Sequence, residues 1–227
     1  MADVMVLKEK LTLAREFLRE DGLIARYGHL SAYVPEERLV LITPNAAAVR
    51  GRMTPADVVT ITLAGEVVAG DHRPPIEWII HTAIHDARPD ALSVIHTHPL
   101  YSTSLTIAGQ PLRPVYQHGA ILGEGPLPVY DDPCIITNDE DAARLVAVLG
   151  SARAVELRGH GAVVVGPSIE EVWATAVFLE ENSQKQLYAT LAGGARFLSP
   201  DEIRRAERSV GARSIQGLWD YYCHRHD

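Results

Sequence analysis

Apolar side chains recur at Val4, Leu7, Leu11, Ala14 and Leu18. That spacing of three and four predicts an amphipathic helix over roughly 3–21, stopped by Gly22. The period then shortens. LSAYV (30–34), LVLITP (39–44) and VVTITLAG (58–65) are short apolar, β-branched runs separated by Gly and Pro, and they read as antiparallel strands. Residues 76–88 return to a helical pattern, and ALSVIHTH (91–98) reads as a strand. AVELRG (154–159) and AVVVG (162–166) predict a hairpin turning about Gly159–Gly161. Ser168 with Glu171 forms a capping box for a helix to about residue 192, and Ser199, Pro200 and Glu202 open another. The order helix, strands, helix, strand, hairpin, helices predicts an α/β fold: one domain over 1–227, three α/β/α layers with a central, mostly antiparallel sheet.

With 47% hydrophobic residues in 227, the chain can bury one substantial core. A formal charge of -8 and no basic stripe argue against nucleic acid or an anionic membrane as partner. Lys8, Lys10, Arg15 and Arg19 break up the N-terminal apolar residues, and no later run nears the about 18 apolar residues of a membrane span. The expectation is a cytoplasmic protein acting on a small molecule. Cys134 and Cys223 are far apart and outside any Cys-x-x-Cys motif, so they are expected to be free thiols.

The histidines add chemistry. In "VIHTHPLYST", His96 and His98 lie two apart on a strand, so both rings face the same space. That suits two ligands of one metal, or a hydrogen-bonded pair in the core. His160 stands between two glycines at the predicted hairpin tip, where small neighbours let a metal or substrate approach. Three protein ligands with an open position are the usual form of a catalytic zinc site. Glu77 follows two prolines and begins a helix, where the dipole favours its charge: a cap, or a reactive carboxylate beside the histidines.

"RPPIEWIIHTAIHDARPDALSVIHTHP" and "LRGHGAVVVGPSIEEVW" together resemble the class II aldolase/adducin family, over about residues 7–195. The resemblance implies a cyclic homotetramer with active sites at subunit interfaces and one divalent metal per chain. Zinc is the usual ion; manganese, iron or cobalt also suit such ligands. Matched position by position, the ligands are His96, His98 and His160, and the catalytic carboxylate is Glu77.

The departures bear on substrate. Where the family's sugar-phosphate aldolases carry G-T-x-G-N-x-S, T-P-T-G and P-S-S-E to cradle a phosphate, this chain reads "ARYGHLS", "TPNAA" and "PPIE". His29 replaces an asparagine, Asn45 and Ala46 replace Thr-Gly, and Pro75 and Ile76 replace two serines. Proline has no N–H and neither side chain donates, so the cradle is expected to be lost. Arg26, His29 and Arg73, with Asn45 beside them, are candidates to hold a carboxylate instead. "YGHLS" resembles the family's decarboxylases of hydroxylated aromatic or heteroaromatic dicarboxylates. His118 falls where the aldolases use a tyrosine from the neighbouring subunit as proton donor. The expected function is therefore a metal-dependent carbon–carbon lyase, foremost a decarboxylase. The alternative is an aldolase on a non-phosphorylated hydroxy-keto compound or a sugar phosphate. A non-enzymatic, adducin-like module would have no use for three histidines and Glu77. The tail "WDYYCHRHD" is expected to be a mobile end or a cover for a neighbour's site.

Overall fold

The structure is a computed structural model and is described for residues 3–24, 27–45, 48–49 and 51–226. The first periodic stretch is α1 (Val4–Glu20), opened by Asp3, whose side chain accepts from the Met5 N–H. β1 (His29–Val34), β2 (Leu39–Ile42) and β3 (Val59–Thr62) form an antiparallel meander. The strand predicted over 58–65 is shorter than expected: the chain turns after Thr62 and returns as β4 (Val67–Ala69), an exposed edge with no sequence pattern of its own. Gly65 makes that turn at φ +83°, and a Cβ there would lie 2.3 Å from the Trp78 indole.

α2 (Trp78–Ala87), β5 (Ser93–Thr97) and the hairpin β7 (Ala154–Leu157) and β8 (Gly161–Gly166) fall where the pattern puts them. So do α5 (Ile169–Leu191) and α6 (Pro200–Ser209). The box on α6 is complete. On α5, Ser168 accepts from the Glu171 N–H, but the Glu171 carboxylate pairs with Arg153 instead.

Three further elements were not expected from the sequence. α3 (Leu100–Ile107) is rich in Ser, Thr and β-branched residues of modest helix propensity. Its start is secured from a distance, because Glu180 on α5 accepts from the Tyr101 and Ser102 N–H groups at 2.8 and 3.0 Å. β6 (Val129–Tyr130) is too short to show a period. α4 (Asp139–Leu149) did carry a local signal, with Asn138 as N-cap and three acids in the first turn.

The eight strands run β4-β3-β2-β1-β5-β8-β7-β6, every neighbouring pair antiparallel except β6 and β7. Alternation along the central strands divides the core. Leu30, Ile95 and Val164 meet Leu11, Phe17 and Trp173 of α1 and α5 on one face. Val94, Val155 and Val163 meet Ile80, Ile84 and Leu145 of α2 and α4 on the other. The layers are thus α/β/α around a mostly antiparallel sheet.

The tail is not the mobile end that was one of its two expectations. It folds as α7 (Ala212–His226), and Trp219 sits edge-on to Phe17 and Trp173 at 5.2 and 5.4 Å. The Tyr222 hydroxyl donates to Asp21 at 2.8 Å. Such aromatic pairs add about 0.5–1.5 kcal/mol each beyond area burial, which holds the end in place. Neither Cys134 nor Cys223 is in a disulfide, as expected.

One core residue sets a pH dependence. Glu156 on β7 is fully buried, and burial, opposed in part by the nearby Ser102 hydroxyl, pushes its carboxyl up to about 8 from 4.5. The folded chain therefore keeps a proton that the unfolded chain sheds near pH 4.5. Stability should fall as pH rises from there to about 8. Glu156→Gln should flatten that fall and raise Tm at pH 8.5 by on the order of 5 °C, with little change at pH 5, in thermal melts at both pH values.

Candidate metal centre

β5 and the β7–β8 turn build the centre. His96 is fully buried in β5, and His98 follows just past the strand end with its ring centroid 4.8 Å from that of His96. Leu157 pairs with Gly161, leaving Arg158, Gly159 and His160 as the turn. His160 enters from there, 5.0 and 5.1 Å from the other two rings. A Cβ at Gly161 would lie 2.2 Å from the Thr97 carbonyl and 2.8 Å from the His98 ring, so the missing side chain lets β8 close on β5 and leaves room for the cluster's imidazoles.

Glu77 sits directly before α2 but does not cap it. Its Oε1 accepts from the Ile136 N–H at 2.9 Å, and its Oε2 lies 3.6 Å from Nε2 of both His96 and His160. Burial raises the Glu77 carboxyl above its ordinary range. The same cause pushes His98 down to about 4 and His96 well below its ordinary value.

The donor set fits a cation. The His96 Nδ1–H donates to the Ala162 carbonyl at 3.1 Å, which leaves a lone pair on Nε2. His98 Nε2 is 2.9 Å away, and one ligand atom from each of Glu77, His96, His98 and His160 falls within 4.8 Å of the others. Converging lone pairs and a carboxylate attract a divalent ion. The acceptor expected behind each imidazole is present for His96, whereas the buried His160 Nδ1 has no partner among the described residues.

A pocket of about 240 Å³ opens beside the cluster. His29, Asn45 and His98 contribute polar atoms, and Pro75, Ile76 and Ile135 form apolar walls. Ile76 and Ile135 are 65% and 56% exposed, and both line this pocket. Of the candidate anion binders among the described residues, His29 and Asn45 line this pocket and Arg73 does not. Arg73 is exposed and holds the wall through its backbone, its carbonyl accepting from Asn45 N–H at 3.1 Å. Arg26 and Ala46 lie outside the described residues. His118 is away from its own chain's pocket, stacked on Phe178 at 4.7 Å. Sequence reasoning missed Tyr27, Ile135 and the buried pair His81 and His85; the last two stand four apart on α2, a helical spacing visible in "HTAIH".

Residues 9–187 match the family model described as Class II Aldolase and Adducin N-terminal domain. A 3,4-dihydroxyphthalate decarboxylase of Terrabacter sp. (strain DBF63) is 32% identical over 87% of this chain and 85% of its own. A 3-oxo-tetronate 4-phosphate decarboxylase of Escherichia coli O6:H1 is 29% identical over 87% and 93%. The solved L-fuculose 1-phosphate aldolase from Glaciozyma antarctica PI12 has the same fold, with TM-score 0.83, 23% identity and coverage of 99% and 92%. With its family model, its fold and its histidine and glutamate cluster in agreement, the chain belongs to the class II aldolase and adducin family.

Proposed function

We propose that the chain is a metal-dependent carbon–carbon lyase that decarboxylates a hydroxylated aromatic or heteroaromatic carboxylate. The observation that carries this reading is the juxtaposition of the Glu77, His96, His98 and His160 cluster with a pocket walled by Pro75, Ile76 and Ile135. Those walls suit a flat ring and offer no side-chain donors to a phosphate. The decarboxylase relatives support the same reaction class.

In the proposed site His96, His98 and His160 hold one divalent ion, zinc foremost, with manganese, iron and cobalt as further candidates. Bound there, the ion supplies positive charge to the oxygen that becomes negative as the carbon–carbon bond breaks. Glu77 takes the substrate hydroxyl proton on Oε2, while the Ile136 N–H on Oε1 keeps the carboxylate turned toward the cluster. The ring carbon bearing the carboxylate accepts a proton, with His118 of a neighbouring copy as donor. The bond to the carboxyl carbon then breaks, carbon dioxide leaves, and the bonding pair restores the ring. Aldol cleavage of a non-phosphorylated hydroxy-keto compound, the runner-up, would use the same groups to open a different bond.

The metal assignment is checked by elemental analysis: His98→Ala should lose most of the bound ion, and full retention would refute it. For the chemistry, Glu77→Gln should keep its metal and release carbon dioxide roughly 10²–10⁴-fold more slowly. Efficient cleavage of fuculose- or ribulose-type phosphates by the wild type would contradict the substrate class. A site shared between copies requires an oligomer, a tetramer being the expectation. Mixing His118→Ala with Glu77→Gln should then recover activity that neither has alone, and light scattering that found an active monomer would sink the shared site.

A further inference from the structure

Three buried side chains that this chemistry leaves unused link His29 to the interior. His29 Nδ1 lies 2.6 Å from His81 Nε2, and His81 Nδ1 lies 2.7 Å from Ser31 Oγ. Ser31 Oγ lies 2.8 Å from His85 Nε2, and His85 Nδ1 ends the series 2.7 Å from the Ala91 carbonyl oxygen. All four side chains are buried. The arrangement follows from two periods: alternation on β1 turns His29 and Ser31 to the α2 side, and one helical turn separates His81 from His85. Tyr33, next on that face of β1, stacks on His85 at 5.3 Å.

The polarity of the series is set at its inner end. A carbonyl only accepts, so His85 Nδ1 carries the hydrogen, and burial, holding this imidazole down to about 4, keeps Nε2 bare. Ser31 must then donate its single hydrogen to His85. Its oxygen in turn accepts from His81 Nδ1–H, which leaves His81 Nε2 to accept from His29 Nδ1–H. No carboxylate hydrogen-bonds to any of these three rings among the described residues, so nothing favours a second proton on them. His29 lines the pocket with its Nδ1 committed, and Nε2 is the nitrogen left for a ligand.

We infer that the His81–Ser31–His85 relay fixes His29 as a hydrogen-bond acceptor toward the pocket, so that this position selects a substrate hydroxyl and turns away a carboxylate or phosphate oxygen. The inference rests on reading that pocket as the substrate site, and it revises the sequence expectation that His29 holds an anion. A carboxylate at this point would face a lone pair, whereas a hydroxyl completes the series with a hydrogen of its own. His81, Ser31 and His85 are positioning residues. They set which nitrogen His29 presents and do not touch the substrate.

The tautomers are read by ¹⁵N NMR on the zinc-loaded, full-length protein labelled at its histidine ring nitrogens. His29, His81 and His85 should each show protonated Nδ1 and bare Nε2, with the His29 signals identified by their loss in His29→Gln. A protonated Nε2 on His29 overturns the relay whatever the substrate proves to be. A second arm measures, by calorimetry, the binding of three salicylates that carry a hydroxyl, methoxyl or carboxylate on the carbon next to the phenol. The hydroxyl probe should bind at least about tenfold more tightly than either of the others, since a site built around one hydrogen bond rejects analogues that cannot make it. Ser31→Ala should shrink that margin and leave zinc content unchanged. Equal or tighter binding of the carboxylate probe overturns the selection. Failure of all three to bind overturns the hydroxy-acid reading and the hydroxyl contact with it, while the tautomer pattern stands or falls separately.

Discussion

The pairing of β1 with β5 sets His29 opposite His96, and the polar interior of the molecule depends on that register. Both rings lie on the α2 side of the sheet, with centroids 5.0 Å apart. A slip of one residue would turn each strand's polar side chains into the apolar layer under α1 and α5. From this pair the site extends in two directions. Along β5 it reaches His98 and, across the sheet, His160; along β1 it reaches Ser31 and the histidines of α2.

Burial makes both branches demanding. An unpaired polar atom in the interior costs about 1–3 kcal/mol, so each imidazole needs a partner on both nitrogens or an ion on one. On the β1 side the demand is met by hydrogen bonds ending at the Ala91 carbonyl. On the β5 side, His96 finds only the Ala162 carbonyl behind it and three other potential ligands in front. The first arrangement is met within the chain except at His29 Nε2, on the pocket side, while the second calls for a cation. Glu77 turns toward the histidines rather than capping α2, with the Ile136 N–H on its Oε1.

The scaffold is shared with sugar-phosphate enzymes, and the local chemistry departs from theirs. The fold matches an L-fuculose 1-phosphate aldolase at TM-score 0.83, yet Pro75 and Ile76 stand in the wall where a phosphate cradle would need donors. The histidine at 29 belongs to the same set of departures, and its partners explain what it gains there. An asparagine could present either a donor or an acceptor, whereas this histidine is held to one polarity.

The sequence alone determined the α/β layering, the main strands and helices, and the residues gathered at the cluster, because these rest on short-range periods and on a local motif spacing. His96 and His98 share a face by strand alternation, and Ser168 and Ser199 start helices by reaching their own backbone. Tertiary structure decided the rest. α3 has weak propensity and is secured by Glu180, about 80 residues further along the chain. The tail is ordered by Phe17 and Trp173, from near the other end of the chain and from α5. Gly161 leaves room for the neighbouring strand as well as for the cluster's imidazoles, and only the tertiary structure shows the first. Arg73 lies exposed and does not line this chain's pocket, since loop paths carry no period to read. The polarity of His29 was hidden for the same reason: it is set by a carbonyl at Ala91, and only the packing of α2 on β1 connects the two.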